Sequence, residues 1–300
     1  MGYLPGAGVL FEFAVVGGVL LGIYYALFAM GLNVVFGAQR IINLAHGDIV
    51  VLGGYAAWEL YETAHLSPIV AAVVVLPFAI ALGFAVHRYL TPRLTKSADP
   101  ETLSLILFFG LSQVFEAAAS LIFGPNEHSL PTSALPVSSL HLLGESYPGI
   151  WWVAALVSIP ILGVFLWLLY RTPFGLRVRA VMSSASEAAT AGIESRLVSG
   201  LFFGIGFGLA AAAGTMGIFI FGGIAPTDGV ALTITAFAII VFGSLGNPVG
   251  TVIAALIFGV VTQLAQVYAP SWSNLVPYAL VILTMLLRPQ GLLGRRQRVA

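Results

Sequence analysis

The sequence predicts an all-α polytopic membrane protein of about nine transmembrane helices, and three observations carry that prediction. Only 8% of the 300 residues are charged and 59% are hydrophobic, whereas a soluble globular domain carries about 25% charged residues. Such a chain lacks the polar surface that a water-exposed fold requires. Apolar runs of bilayer length, about 20 residues, recur from one end of the sequence to the other. The basic residues fall between alternate runs, the pattern of loops on the cytoplasmic side of a membrane.

The runs lie near 9–38, 41–60, 68–90, 102–124, 149–170, 196–221, 229–244, 247–269 and 273–288. The first has no basic stretch before it and exceeds the roughly 7 to 15 residues of a signal-peptide core, so it reads as a retained span. The second contains a polar cluster and the seventh is short, which strains the length and apolarity of a span in both. With nine crossings, an outside N-terminus and an inside C-terminus, all twelve basic residues fall inside. These are Arg40; Arg88, Arg93 and Lys96; Arg171, Arg177, Arg179 and Arg196; and Arg288, Arg295, Arg296 and Arg298. A re-entrant second segment would put the clusters at Arg88 and Arg171 outside, so the charges favour nine crossings.

The stretch 125–148, "PNEHSLPTSALPVSSLHLLGESYP", has Glu127 and Glu145 but no Lys or Arg, and its Pro and Ser content predicts an irregular periplasmic loop. No linker or tail is long enough for a second soluble domain, so one transmembrane domain covers 1–300. In the sixth run Gly200, Gly204, Gly208 and Ala212 recur every four residues, the spacing that lets two membrane helices approach closely.

The longest inward loop, 171–195, "RTPFGLRVRAVMSSASEAATAGIES", is more than a tether. Residues 176–182 suit one short helix, and Ser186 suits the cap of a second that starts at Glu187, Ala188 and Ala189 and ends at Gly192. A helix that short is marginal alone in water and needs a docking surface.

Several chemistries are excluded. Cysteine is absent, so thiolate metal sites and Cys nucleophiles are ruled out, and a net charge of zero gives no sign of a nucleic-acid partner. The single lysine, Lys96, is not preceded by a phosphate-loop glycine pattern, and the five histidines, at 46, 65, 87, 128 and 141, show no HExxH spacing. The reading is a non-enzyme with no metal or cofactor of its own. Uphill transport by it would need an engine on another polypeptide.

The most informative stretch is "INLAHGDIVVLGGY", 42–55, where an amide, an imidazole and a carboxylate stand at the edge of a span. On a straight helix Asn43, His46 and Gly47 share a face that Asp48 does not. A break at Gly47 would resolve this, with Asp48 capping a half-helix over 49–60 and Asn43 and His46 divided between structural bonding and a translocation pathway. Gln113 and Glu116 form a second intramembrane polar pair, for which a buried partner helix is the simpler explanation. An echo links "NVVFGAQRIINLAHG" with "IIVFGSLGNPVGTVIAALIFG": each places Phe-Gly at the end of an inward span before a polar, Gly-interrupted start, as in transporters built from repeated halves.

The stretches "GLNVVFGAQRIINLAHGDIVVLGGY", "RTPFGLRVRAVMSSASEAATAGI", "VFGSLGNPVGTVIAALIFG" and "LVPYALVILTMLLRPQGLLGRR" resemble, in order and spacing, the permease subunits of bacterial branched-chain amino-acid ABC importers, in the LivH-type form. The resemblance implies a permease bundle with broken helices in the bacterial cytoplasmic (inner) membrane. It also implies two ATP-hydrolysing subunits, a second permease subunit of the LivM type or a like copy, and a periplasmic substrate-binding protein. With the polar cluster and the internal echo, the expected translocation pathway runs past Asn43, His46, Gly47, Asp48, Gly243, Gly246 and Asn247. The contact with the ATPase falls on a coupling segment within 171–195, at Arg179, Glu187, Ala188, Ala189, Gly192 and Ile193. The implied cargo is a branched-chain amino acid or a similar small polar solute, and similar permeases serve urea and short amides. The alternative from a different class is a self-sufficient channel or secondary carrier for such a solute.

Overall fold

The structure, a computed structural model, describes residues 7–39, 41–94, 97, 99–136, 138–142 and 144–294. Arg40, Lys96, Arg295, Arg296 and Arg298, assigned above to one side of the membrane, lie outside the described residues, as does the side chain of Arg93.

Among the described residues eleven α-helices follow one another: α1 (Ala7–Gln39), α2 (His46–Ala64), α3 (Pro68–Leu94), α4 (Pro100–Phe123), α5 (Gly149–Arg171), α6 (Pro173–Ser183), α7 (Ala185–Thr190), α8 (Ser195–Ile220), α9 (Gly229–Gly243), α10 (Pro248–Tyr268) and α11 (Val276–Leu287). Several start where the sequence places a polar cap before a proline. Asp99 accepts from the Thr102 amide ahead of α4, Thr172 from Gly175 ahead of α6, and Asn247 from Gly250 ahead of α10. Each cap satisfies one of the amides a helix start leaves open, and the proline gives up an amide that had no partner there.

Among the described residues eight segments are long and apolar enough to cross a bilayer. The remaining expected span is α2, which carries Asp48, Glu59 and Glu62. Its far end lies with the 125–148 loop, where Tyr55 stacks on Phe123 at 4.7 Å and Trp58 meets His128 at 4.2 Å. Helix α2 therefore runs toward the end of the bundle that carries that loop.

Helix α8 is the centre of the bundle, and its glycines explain why. Gly204 and Gly208 lie against Ile80, and Gly200 against His87, so that stripe forms the seam with α3 as its spacing predicts. Gly214 lies against the Val50 carbonyl of α2, and Gly206 against Gly31 of α1. Backbones this close gain dispersion contacts that replace the hydrophobic drive missing in lipid. Helices α1 and α10 form a second seam of the same kind, with Gly18 and Gly22 against Gly259 and Leu256.

The loop 125–148 is not wholly irregular. It carries a hairpin of β1 (Ser139–Leu142) and β2 (Glu145–Pro148), whose Tyr147 is buried and stacks on Phe13 at 5.1 Å. Four-residue strands rich in Ser leave too short an alternation to read from sequence. At the opposite end of the bundle lie Gly37, the α5–α8 connection and the α9–α10 turn. The C-terminal stretch joins them there, with the Leu292 amide donating to the Phe242 carbonyl at 2.8 Å.

Candidate functional site: the crossing of two helix starts

Helical continuity breaks between α1 and α2, and residues 41–45 lead back into the bundle. Gly37 packs on Gly246 at one end, yet His46 Nε2 lies 2.9 Å from the carbonyl of Phe28. Phe28 is nine residues earlier in α1 than Gly37, about 14 Å along the helix at 1.5 Å per residue. Helix α2 thus begins deep inside, after a non-helical stretch ending at Ala45. Irregular backbone at that depth persists only if protein groups satisfy it.

Those groups are identifiable. Asn43 Oδ1 accepts from the Ala45 amide at 3.1 Å. Thr233, near the start of α9, accepts from the Gly47 amide at 2.8 Å and donates to the Leu44 carbonyl at 3.0 Å. One hydroxyl from a helix 186 positions away in sequence therefore caps α2 from outside. The starts of α2 and α9 cross so closely that a Cβ on Gly47 would strike the Gly229 carbonyl, and one on Gly229 would strike the Asp48 carboxylate.

This geometry corrects two expectations. The break precedes His46 rather than falling at Gly47, because Gly47 is required for close approach and sits inside the first turn. Asp48 does not cap a half-helix: it occupies the first turn of α2, is 2% exposed, and neither carboxylate oxygen has a hydrogen-bond partner among the described residues. The amide that a cap would take is held by Thr233. Asp48 faces Ser112 and Glu116 of α4, but the Ser112 hydroxyl forms no directed bond to it. The carboxylate is sited instead where the positive ends of α2 and α9 converge, which favours negative charge. Gln113 turns outward and is exposed, so the partner helix expected for it does not come from this chain's described residues.

The other pathway candidates collect elsewhere. Gly246, at φ +75°, donates its amide to Asn33 Oδ1 of α1 at 2.6 Å. Gly243 and Gly250 touch backbone to backbone, and Asn247 caps α10. Gly246 and Asn247 line a cavity of about 450 Å³ together with Gly37, Arg179, Met182 and Ser183. The seven candidates thus form two sets, 43–48 at the α2–α9 crossing and 243–247 at the α6 end of the bundle, bridged by α1 and α9. Asn33, Thr233, Ser112 and Gly229 were missed in the sequence. Asn33 had a legible signal as the one amide inside the first apolar run, whereas Thr233, one of two threonines in α9, had none.

The 171–195 segment forms α6 and α7 as two helices, with one correction. Ser184, not Ser186, caps α7 by accepting from the Glu187 amide at 3.3 Å, while Ser186 bonds the Ser184 hydroxyl. Pro173 starts α6 earlier and Ser183 ends it later than expected, which moves the cap upstream. Gly192 ends the turn at φ +78°, with the Ile193 amide returning to the Ala188 carbonyl at 3.0 Å. Ala188 is buried against the bundle and Ile193 half-buried, while Glu187, Ala189 and Gly192 face out. Arg179 donates to the Leu169 carbonyl and lies over the Tyr170 ring at 5.5 Å, tying α6 to the end of α5. Among the described residues no group of three acidic or histidine side chains could hold a metal ion.

Comparison with known proteins identifies the architecture. A family model described as branched-chain amino acid transport system / permease component matches residues 14–285. The chain is similar to the high-affinity branched-chain amino acid transport system permease protein LivH of Salmonella typhimurium, at 29% identity over 93% of this chain and 94% of that protein. It is similar to BraD of Pseudomonas aeruginosa at 28% identity over 93% of this chain and 94% of that protein. It also resembles the probable LivH of Methanocaldococcus jannaschii at 27% identity over 93% of this chain and 91% of that protein. No solved structure matches it. A helical bundle whose second helix starts deep inside after a non-helical stretch, together with a match over nearly its whole length, places the chain in the family of permease components of branched-chain amino acid transport systems.

Proposed function

We propose that the chain is the permease subunit of an ATP-driven importer of branched-chain amino acids or a closely similar solute, and that the α2–α9 crossing lies on its translocation pathway. The observation that supports this reading most is the crossing itself. Two helix starts meet at depth, and the buried Asp48 oxygens and Asn43 Nδ2 beside them have no hydrogen-bond partner among the described residues. Helix starts facing a midplane site are a recurring device for holding charged groups of a solute. In this reading Asn43, His46, Gly47 and Asp48 form the inner part of the path, and Gly243, Gly246 and Asn247 border its exit beside α6.

The chain hydrolyses no ATP itself. Glu187, Ala189 and Gly192 offer the outward surface of α7 to an ATPase subunit, with Ala188, Ile193 and Arg179 anchoring that surface to the bundle. The partners are two such subunits, a periplasmic binding protein and a second permease, which covers the exposed Gln113 face of α4. A single permease domain over 1–300 sits in the inner membrane with its N-terminus and the 125–148 loop periplasmic and its C-terminus and 171–195 cytoplasmic. Reconstitution tests the reading: proteoliposomes holding the chain with ATPase subunits, second permease and binding protein should accumulate labelled leucine only with ATP. Leucine flux through this chain alone, without ATP, would establish the channel or carrier instead.

A further inference from the structure

A cavity of about 580 Å³ opens at the same end of the bundle, on the other side of α6 from the one beside Asn247. Its walls come from the last turns of α1 and α3, the first turns of α8, and residues 183–185, which join α6 to α7. Among the described residues no carboxylate lines it, whereas Arg196, His87, Thr91, Gln39, Ser184 and Ser199 do.

Arg196 is exposed, forms no ion pair among the described residues, and makes one long bond, 3.5 Å, to the Arg88 carbonyl. Thr91 is 3% exposed, yet its hydroxyl has no partner among the described residues. A buried hydroxyl left unpaired is costly unless something in the adjoining space bonds to it. The surrounding walls are held in place: Gln39 donates to the Ser199 carbonyl at 3.3 Å, and the His87 ring packs on Phe203 at 5.7 Å. An exposed guanidinium and a threonine whose hydroxyl is unpaired line one cavity to which no described residue adds a carboxylate, a lining complementary to an oxyanion, which accepts from both donors.

We propose that this cavity binds a small oxyanion, a carboxylate or phosphate group, between Arg196 and Thr91. The site is separate from the α2–α9 crossing and does not depend on the transport reading. Because its third wall is the turn that carries α7, an occupant fixes the position of α7 against α3 and α8. Occupancy is thereby coupled to the surface that α7 presents outward. Two sources supply the same chemistry, a dissolved anion and the phosphate of a lipid headgroup.

The chain has no native cysteine, so Ser183→Cys at the cavity wall provides a single reactive thiol. The full-length variant is placed in phosphatidylcholine vesicles and its modification by a maleimide is timed with inorganic phosphate, with 4-methylvalerate, and with choline chloride at matched ionic strength. Phosphate or 4-methylvalerate should slow labelling several-fold and choline chloride should not. Adding Arg196→Gln should raise the anion concentration needed by roughly tenfold or more, as expected for loss of a charge-assisted hydrogen bond. Thr91→Val should raise it less. Protection that arises only after phosphatidylglycerol is added, and that Arg196→Gln removes, supports the site with lipid as its source. Labelling that no anion slows in either membrane, or protection that survives Arg196→Gln unchanged, overturns the proposal.

Discussion

Thr233 holds the start of α2 by two bonds, accepting from the Gly47 amide at 2.8 Å and donating to the Leu44 carbonyl at 3.0 Å. The broken helix is thus a tertiary feature, completed by a residue of α9. Replacing Thr233 with Val keeps the shape but leaves both backbone groups unpaired at depth, a loss of about 1–3 kcal/mol. Thr233→Val should melt well below the wild type in detergent, while Thr233→Ser, which keeps the hydroxyl, should stay close to it. Equal melting of the Val variant and the wild type would show that the hydroxyl does not hold the break.

Gly47→Ala is expected to be more disruptive than its single methyl suggests. The added carbon meets the Gly229 carbonyl, and overpacking of this kind costs about 1–3 kcal/mol. Membrane yield of that variant should fall, and Gly53→Ala should show the same behaviour because its Cβ meets Ala211 backbone. Gly110→Ala, where nothing lies within 4 Å, is the control that should be silent.

Asp48→Asn separates fold from function. Among the described residues the carboxylate caps no helix and accepts no directed hydrogen bond, so removing its charge relieves burial rather than breaking such a bond. Yield and melting should match or exceed those of the wild type, while ATP-dependent uptake falls at least severalfold. A variant that folds poorly would restore the capping role read from the sequence.

Ala189→Trp tests the coupling surface. Ala189 faces outward, so the bulky ring meets no part of this chain, whereas Ala188 beside it is buried. The permease should insert in normal amount and lose substrate-stimulated hydrolysis by the associated ATPase. Unchanged hydrolysis and uptake would move the coupling role to the α3–α4 connection.

Orientation can be scored with single cysteines at Glu62 and Ser146, which lie at the hairpin end of the bundle, and at Ser186 of α7. An impermeant maleimide added to intact cells should label the first two and spare Ser186. Labelling of Ser186 from outside would invert the topology.

What could be read from the sequence, and what could not, divides along a physical line. The spans were legible because bilayer length and charge asymmetry act through composition, and the Gly200, Gly204, Gly208 stripe because helix seams need small residues at a fixed spacing. The start of α2 was misplaced, since a partner 186 positions away decides it and no local pattern encodes Thr233. Asp48 was misread as a cap for the same reason. Ser186 looked like the cap of α7 only until α6 proved longer than its apolar residues suggest. The two clusters within the candidate pathway, 43–48 and 243–247, were each visible as glycine-interrupted polar starts. Their separation in space was not.

The most direct test of the account is the accessibility of Leu44, the half-buried residue whose carbonyl Thr233 bonds, in the complete reconstituted importer. A cysteine there should react with a small cationic thiol reagent from the aqueous phase, and the reactive side should change when the ATPases are trapped with ATP and vanadate. Val164→Cys on the exposed face of α5, which is 65% exposed and apolar, serves as the lipid-facing reference and should stay unreactive throughout. Reaction of Leu44→Cys that tracks the ATPase state places the crossing of α2 and α9 on the transport path; a cysteine there that stays as inert as the one at Val164 in every state contradicts it.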